Sequence, residues 1–268
     1  MNHIAGRKMT PQANLRVSTT SPPEPLVLLP GMLCDERLFA PQSAALGSEF
    51  EIIHASISGA NSVRDIARRL LLILPEHFAL AGLSMGGIVA FELLRQAPRR
   101  ISRLALLDTT YLPDPPERRA LREKQIKQVL DGDLELVLQT ELKPNYLANC
   151  HRSDEELLKC VLAMGLDQGA ESFILQSRAL QRRADSSKTL AHIHCPTRII
   201  CGAEDRLCTP QLHRKMAQKI PGSDCFVLPD CGHLSPLEQP EAVTGLLRDW
   251  MMADKGESQA CTIALTES

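Results

Sequence analysis

Leu26-Val27-Leu28-Leu29, stopped at once by Pro30-Gly31, is an apolar run without a polar break and too short for an amphipathic helix. A strand buried on both faces needs such a run, because successive side chains point to opposite sides of a sheet. Both faces are buried when helices cover them, which in turn implies parallel strands joined by helical crossovers. Comparable runs follow at 78–81, 104–107, 197–201 and 225–228, with a less pure one at 51–57. Helical spacing lies between them, at 36–45, 62–74, 85–96, 209–219 and 240–252. In the second of these Ser62 supplies an N-cap, Asp65 approximates a capping box, and Pro75 stops the helix. The chain is therefore expected to be α/β, with a doubly wound, mostly parallel sheet.

The alternation breaks near residue 111. From there to 185 the sequence reads as helices only, at 116–130, 133–142, 153–166 and 170–183, punctuated by Pro113, Pro115, Pro116, Gly132, Pro144 and Gly169. A helical segment inserted after the strand ending at Asp108 accounts for this. The expected division is a flexible leader at 1–24 (at most a short strand at 15–18), a core of 25–110 and 191–252, a helical insert at 111–190, and a loose tail at 253–268.

Composition narrows the partners. A formal charge of −2 over 268 residues leaves no basic excess for phosphates or anionic headgroups, so nucleic acid and membrane surfaces are disfavoured and a small molecule is favoured. The paired arginines at 68–69, 99–100, 118–119 and 182–183 read as solvated helix faces. No run of about 18 apolar residues exists, and the first 24 lack the apolar stretch of a secretory signal, so a cytoplasmic protein is expected. Nine cysteines, odd in number and without a Cys-x-x-Cys pair, read as reduced, packed thiols. Aromatic residues make up 3%, too few for a stacking platform for bases or flat cofactors.

Gly82-Leu83-Ser84-Met85-Gly86 matches Gly-x-Ser-x-Gly, with a strand running into it and a helix leaving it. That setting suits a nucleophile elbow, where small neighbours, here Gly82 and Gly86, let a serine occupy a strained turn. The competing reading is a glycine-rich turn that merely packs. A serine nucleophile needs a base, and His233, in Asp230-Cys231-Gly232-His233-Leu234 directly after the run at 225–228, sits where sites gather in parallel sheets. The base needs a carboxylate, for which Asp205 in the turn after 197–201 is favoured, with Glu204 and Asp108 as rivals. His192 and His194 have metal-clip spacing but no completing cluster, so no metal is expected. The order Ser84, Asp205, His233 is the α/β-hydrolase order.

From Leu26 to Met252 the chain thus resembles the α/β-hydrolase fold superfamily, with residues 26–33, 82–87, 202–205 and 232–234 at the family's motif positions. The resemblance implies an oxyanion hole from the backbone N–H groups of Met85 and Met32, and a helical cap at 111–190 supplying most substrate contacts. Leu33, Met164 and Leu234 are the expected pocket side chains. Two departures stand out. Pro30-Gly31 replaces the family's frequent His-Gly, and little room precedes Pro25 for the usual amino-terminal hairpin. Ser84 excludes relatives with an aspartate nucleophile, while Cys34 and Cys231 lie off any elbow and read as packing residues. The expected activity is serine hydrolysis of a carboxylic ester or related small acyl substrate, without metal or organic cofactor. Carbon–carbon hydrolases, enol-lactonases, thioesterases and menaquinone-pathway lyases share these features, and a non-catalytic binding protein is the reading from another class.

Overall fold

The computed structural model describes residues 24–142 and 146–253. The anticipated strand at 15–18, and the leader and tail except for Glu24 and Ala253, lie outside the described residues. The strands are β1 (Leu26–Leu29), β2 (Ile52–His54), β3 (Phe78–Leu83), β4 (Ile101–Leu107), β5 (Thr197–Gly202) and β6 (Asp224–Leu228). They form one six-stranded sheet ordered β2-β1-β3-β4-β5-β6, parallel at each junction. The helices are α1 (Ala40–Leu46), α2 (Val63–Ile73), α3 (Met85–Gln96), α4 (Pro116–Leu130), α5 (Leu134–Val137), α6 (Glu155–Gln181), α7 (Ser187–Leu190), α8 (Pro210–Ala217), α9 (Ser235–Glu238) and α10 (Pro240–Met252).

Alternation along β1 divides the core between the two faces of the sheet. Val27 and Leu29 join a cluster with Ile66 and Leu70 of α2 and Val89 and Leu93 of α3. Leu26 and Leu28 enter the opposite cluster with Leu46 of α1 and Val243, Leu247 and Trp250 of α10. All four strand side chains are at most 1% exposed, and burying each removes apolar area worth about 1.5–3 kcal/mol. The expected cap of α2 is present, with Asp65 N–H donating to Ser62 Oγ at 3.3 Å.

The run at 51–57 forms a shorter strand than its hydrophobicity suggests. β2 is the sheet's edge and pairs through three residues, Leu26 with Ile52, Val27 with Ile53 and Leu28 with His54. β3, by contrast, extends two residues beyond the expected end, because Gly82 pairs with Leu29 and Leu83 with Leu107. The strand therefore delivers the chain directly to Ser84.

Helices fill the connection from β4 to β5. The segment expected as one helix at 133–142 is α5 followed by a π-helical turn at Leu138–Leu142. The two helices expected around Gly169 meet within α6, where that glycine adopts φ 77° and ψ 174° and breaks the helical geometry. The connection leaves and rejoins the core at neighbouring points, since Ser186 N–H donates to Tyr111 O at 2.9 Å.

The strand order reverses direction at β1, with β2 on one side and β3 on the other. In open parallel sheets, ligands bind in the crevice beyond the strands' carboxyl ends at such a reversal. Here that crevice lies between the loop after β1 and the turn after β3.

Candidate active site

Ser84 occupies the junction of β3 and α3 with φ 52° and ψ −111°. A non-glycine residue held there costs about 1–3 kcal/mol. Neighbouring backbone and side chains fix it, as Ser84 N–H donates to Leu107 O at 2.9 Å and Thr109 Oγ1 donates to Ser84 O at 2.6 Å. A Cβ on Gly82 would lie 2.6 Å from the carbonyl carbon of Gly86. One on Gly86 would collide with Leu29 O and lie 2.7 Å from Pro30 O. These glycines let strand, helix and the loop after β1 meet at backbone distance. That approach sets Gly31 and Met32 beside Ser84; a Cβ on Gly31 would come within 3.7 Å of Ser84 Cβ. Met85 N–H opens α3, where the first turn has no intrahelical acceptors and the helix dipole is positive.

The turns after β5 and β6 bring Asp205 and His233 to the same rim. His233 Nε2 lies 2.8 Å from Ser84 Oγ, and its Nδ1 lies 2.8 Å from Asp205 Oδ2. The carboxylate accepts, so Nδ1 carries the proton and Nε2 presents its lone pair to the serine. Asp205 is fixed through its other oxygen, which accepts from Leu207 N–H at 2.8 Å and Cys208 N–H at 2.9 Å. His233 is 3% exposed. Burial pulls its pKa down, but the charge and hydrogen bond of Asp205 outweigh that and raise it above the ordinary 6.5.

The rival acids are engaged elsewhere. Glu204 Oε2 accepts from Asn149 N–H at 3.1 Å. Asp108 is wholly buried, accepting from Gly202 N–H at 2.9 Å and from Ser235 Oγ at 2.5 Å. Burial, reinforced by the charge of Asp205, pushes its carboxyl up to about 8.

Glu238 went unnoticed in the sequence. Its buried carboxylate accepts from the N–H groups of Gly232 and Leu234 at 3.0 Å and of Ala148 at 2.7 Å, clamping the loop that carries His233 onto the helical connection. Its spacing from His233 resembles that of any acid in a short helix, so no sequence signal distinguishes it. His233 N–H itself donates to Tyr146 O at 2.6 Å.

Ser84 and His233 open onto a cavity of about 350 Å³ that Met32, Met85 and Leu234 also line. Leu33 and Met164, expected in the pocket, are not among its lining residues. Leu33 turns away at φ 56° and packs with Val129 and Phe173, while Met164 packs with Leu83 and Leu107. The arginine pairs need a larger correction. Arg118 and Arg183 line the cavity instead of facing solvent, joined by Arg122. Asp114 pairs with Arg122 Nε at 2.7 Å and with Arg183 Nη1 at 2.5 Å.

Other candidates fall away from the site. His213 accepts Thr109 N–H at 2.9 Å, and burial holds its pKa below the ordinary value. His192 Nδ1 lies against Lys188 O at 2.8 Å, and the pair His192 and His194 gathers no third metal donor among the described residues. The described cysteines are free thiols. Burial pushes the Cys34 thiol up to about 12 and raises that of Cys231 further, which suppresses the nucleophilic thiolate.

A parallel sheet with a serine on its strand-to-helix turn, and a histidine and acid on later strand ends, defines the α/β-hydrolase class of fold. Residues 26–246 match the family described as alpha/beta hydrolase, and the chain belongs to that family. Among solved structures, a thermophilic esterase from Thermogutta terrifontis is similar at TM-score 0.78 and 29% identity, over 86% of this chain and 90% of that one. The enol-lactonase from Burkholderia xenovorans superposes at TM-score 0.77 and 23% identity, over 86% and 91% of the two chains. The RutD protein of Yersinia enterocolitica, provisionally named a carbamate hydrolase, is 24% identical over 259 residues, 91% of this chain and 92% of its own length. No described helix is long and apolar enough to cross a membrane.

Proposed function

We propose that this α/β-hydrolase cleaves a small carboxylic ester or a related acyl substrate through a covalent acyl-enzyme on Ser84. The observation that carries this reading is the continuous row Asp205, His233, Ser84, with 2.8 Å at each step and the serine open to a cavity. His233 Nε2 takes the Ser84 hydroxyl proton as Oγ attacks the carbonyl carbon. The negative charge that develops on the carbonyl oxygen is held by the backbone N–H groups of Met85 and Met32. Nε2 then protonates the leaving group, and water, activated by the same imidazole, releases the acid and restores the serine. Residues 111–190 act as the cap that shapes the acyl site.

The relatives are named for esters, enol-lactones and carbamates. In each a carbonyl carries a heteroatom leaving group, which the same row can serve. Because His233 works as a base and its pKa is raised, activity should fall as pH drops through a value above 6.5. The test is a panel of short acyl p-nitrophenyl esters, lactones and carbamates run with Ser84→Ala, beside labelling by a fluorophosphonate. The expected result is turnover of at least one ester and labelling of Ser84, both abolished in the variant. Full turnover by Ser84→Ala would overturn the assignment, and turnover of a dienone acid but no ester would move it to carbon–carbon cleavage.

A further inference from the structure

Three guanidinium groups and one carboxylate line the cavity, and Asp114 is the single acid among its described lining residues. Arg183 and Arg122 keep side-chain exposures of 7% and 13%, and the Asp114 side chain is 2% exposed. Withdrawing two such cations from water against one anion leaves a charge uncompensated, which is costly in a low-dielectric setting. Arg118 adds a third charge one helical turn from Arg122, on the same face of α4. Among the described residues its guanidinium has no hydrogen-bond or ion-pair partner, whereas Arg122 and Arg183 are committed to Asp114. The cluster also lies near the reaction centre, since Arg122 Nη1 is 3.7 Å from Sδ of Met32, the residue after Gly31 in the loop beside Ser84.

From this charge deficit we infer that the acyl substrate carries a carboxylate of its own, bound by Arg118 and neutralised by the Arg118, Arg122 and Arg183 cluster while its ester carbonyl lies at Ser84. The inference deepens the hydrolase reading and rests on it for the ester end of the substrate. One unengaged guanidinium fork offers two parallel N–H groups, the match for the two oxygens of a planar carboxylate. Apart from these charges the wall is largely aliphatic, with Leu112, Leu121, Leu142, Leu180 and Leu212 among its lining residues. The ligand class is therefore the half-ester, or equivalent acyl derivative, of a short aliphatic dicarboxylic acid. Asp114 acts as a positioning residue that holds two of the three guanidinium groups.

The experiment compares p-nitrophenyl hydrogen adipate with p-nitrophenyl hexanoate, which have the same chain length and differ in the terminal carboxylate. The native enzyme should favour the adipate by at least about tenfold in kcat/KM, with the difference in KM, as a charge-assisted hydrogen bond implies. Arg118→Gln should shrink that ratio by about tenfold, and Arg118→Lys should restore part of it. In parallel, calorimetric titration with adipic acid monoamide should show affinity at least about tenfold weaker for Arg118→Gln than for the native protein. An unchanged ester ratio, or equal monoamide affinity in the two proteins, overturns the inference. If neither ester turns over and a fluorophosphonate fails to label Ser84, the hydrolase reading fails, and the calorimetric comparison still decides the carboxylate site.

Discussion

Asp205→Asn tests the proposed division of labour most directly, because the loop around the acid dictates how the replacement must sit. Asp205 Oδ1 accepts two N–H groups, from Leu207 at 2.8 Å and Cys208 at 2.9 Å. An asparagine that turned its amide nitrogen toward them would leave two donors without an acceptor, at about 1–3 kcal/mol each. The carbonyl therefore stays on the loop and the amide NH₂ faces His233 Nδ1. A donor facing Nδ1 selects the tautomer with the proton on Nε2, which cannot accept from Ser84 Oγ. The escape orientation is disfavoured by roughly 2–6 kcal/mol, and the charge that stabilises the imidazolium is lost as well. Together these effects should lower kcat/KM by about 10⁴, equivalent to about 5.5 kcal/mol of transition-state stabilisation. The assays are p-nitrophenyl hexanoate turnover and the rate of fluorophosphonate labelling, with circular dichroism to verify the fold, which the retained loop bonds should preserve. Activity within tenfold of native refutes the reasoning, and the acid would then be sought in Asp108.

Two further outcomes follow from buried carboxylates. Burial, with the charge of Asp205, pushes the Asp108 carboxyl up to about 8 in the folded protein, against an ordinary 3.8. Its contribution to stability is therefore full below 3.8 and is lost as pH rises toward about 8. Asp108→Asn should flatten that decline, seen as urea midpoints at pH 5, 7 and 9 that differ less than in the native protein. Glu238→Gln places an amide where three backbone N–H groups converge. Weakened charge-assisted bonds should cost about 1.5–3 kcal/mol in denaturant titration and lower kcat by displacing His233. Native stability in that variant would show that the clamp is idle.

The central strands were legible because Leu26–Leu29 and the runs at 78–81 and 104–107 are covered on both faces, a condition that forces unbroken hydrophobicity. The edge run at 51–57 misled for the same reason. Ala55 and Ile57 are buried by packing, so their hydrophobicity reports cover and not strand pairing. That Ser84, Asp205 and His233 come together was readable because each lies in the turn after a strand, where the fold leaves little freedom of placement. The cavity wall was not. Arg118 and Arg119 are adjacent on α4, yet successive helical residues point about 100° apart, so one can enter the cavity while the other stays exposed. Which one does so depends on how α4 sits over the sheet, and that is a tertiary fact. Leu33 and Met164 failed for a related reason, since nearness to a motif in sequence says nothing about which way a turn or helix face points.

The hydrogen bond between Ser186 and Tyr111 closes the helical connection at its base. The chain enters and leaves that excursion almost through a single doorway. Lengthening or shortening a loop whose ends are already joined changes its closure entropy only logarithmically. The sheet can therefore stay constant while the helices of that excursion change, so long as the stretch that meets the His233 loop through Tyr146 O and Ala148 N–H is kept. On the proposed reading, new specificity can then arise from changes in helices such as α4, which carries Arg118 and Arg122 to the cavity, without refounding the core.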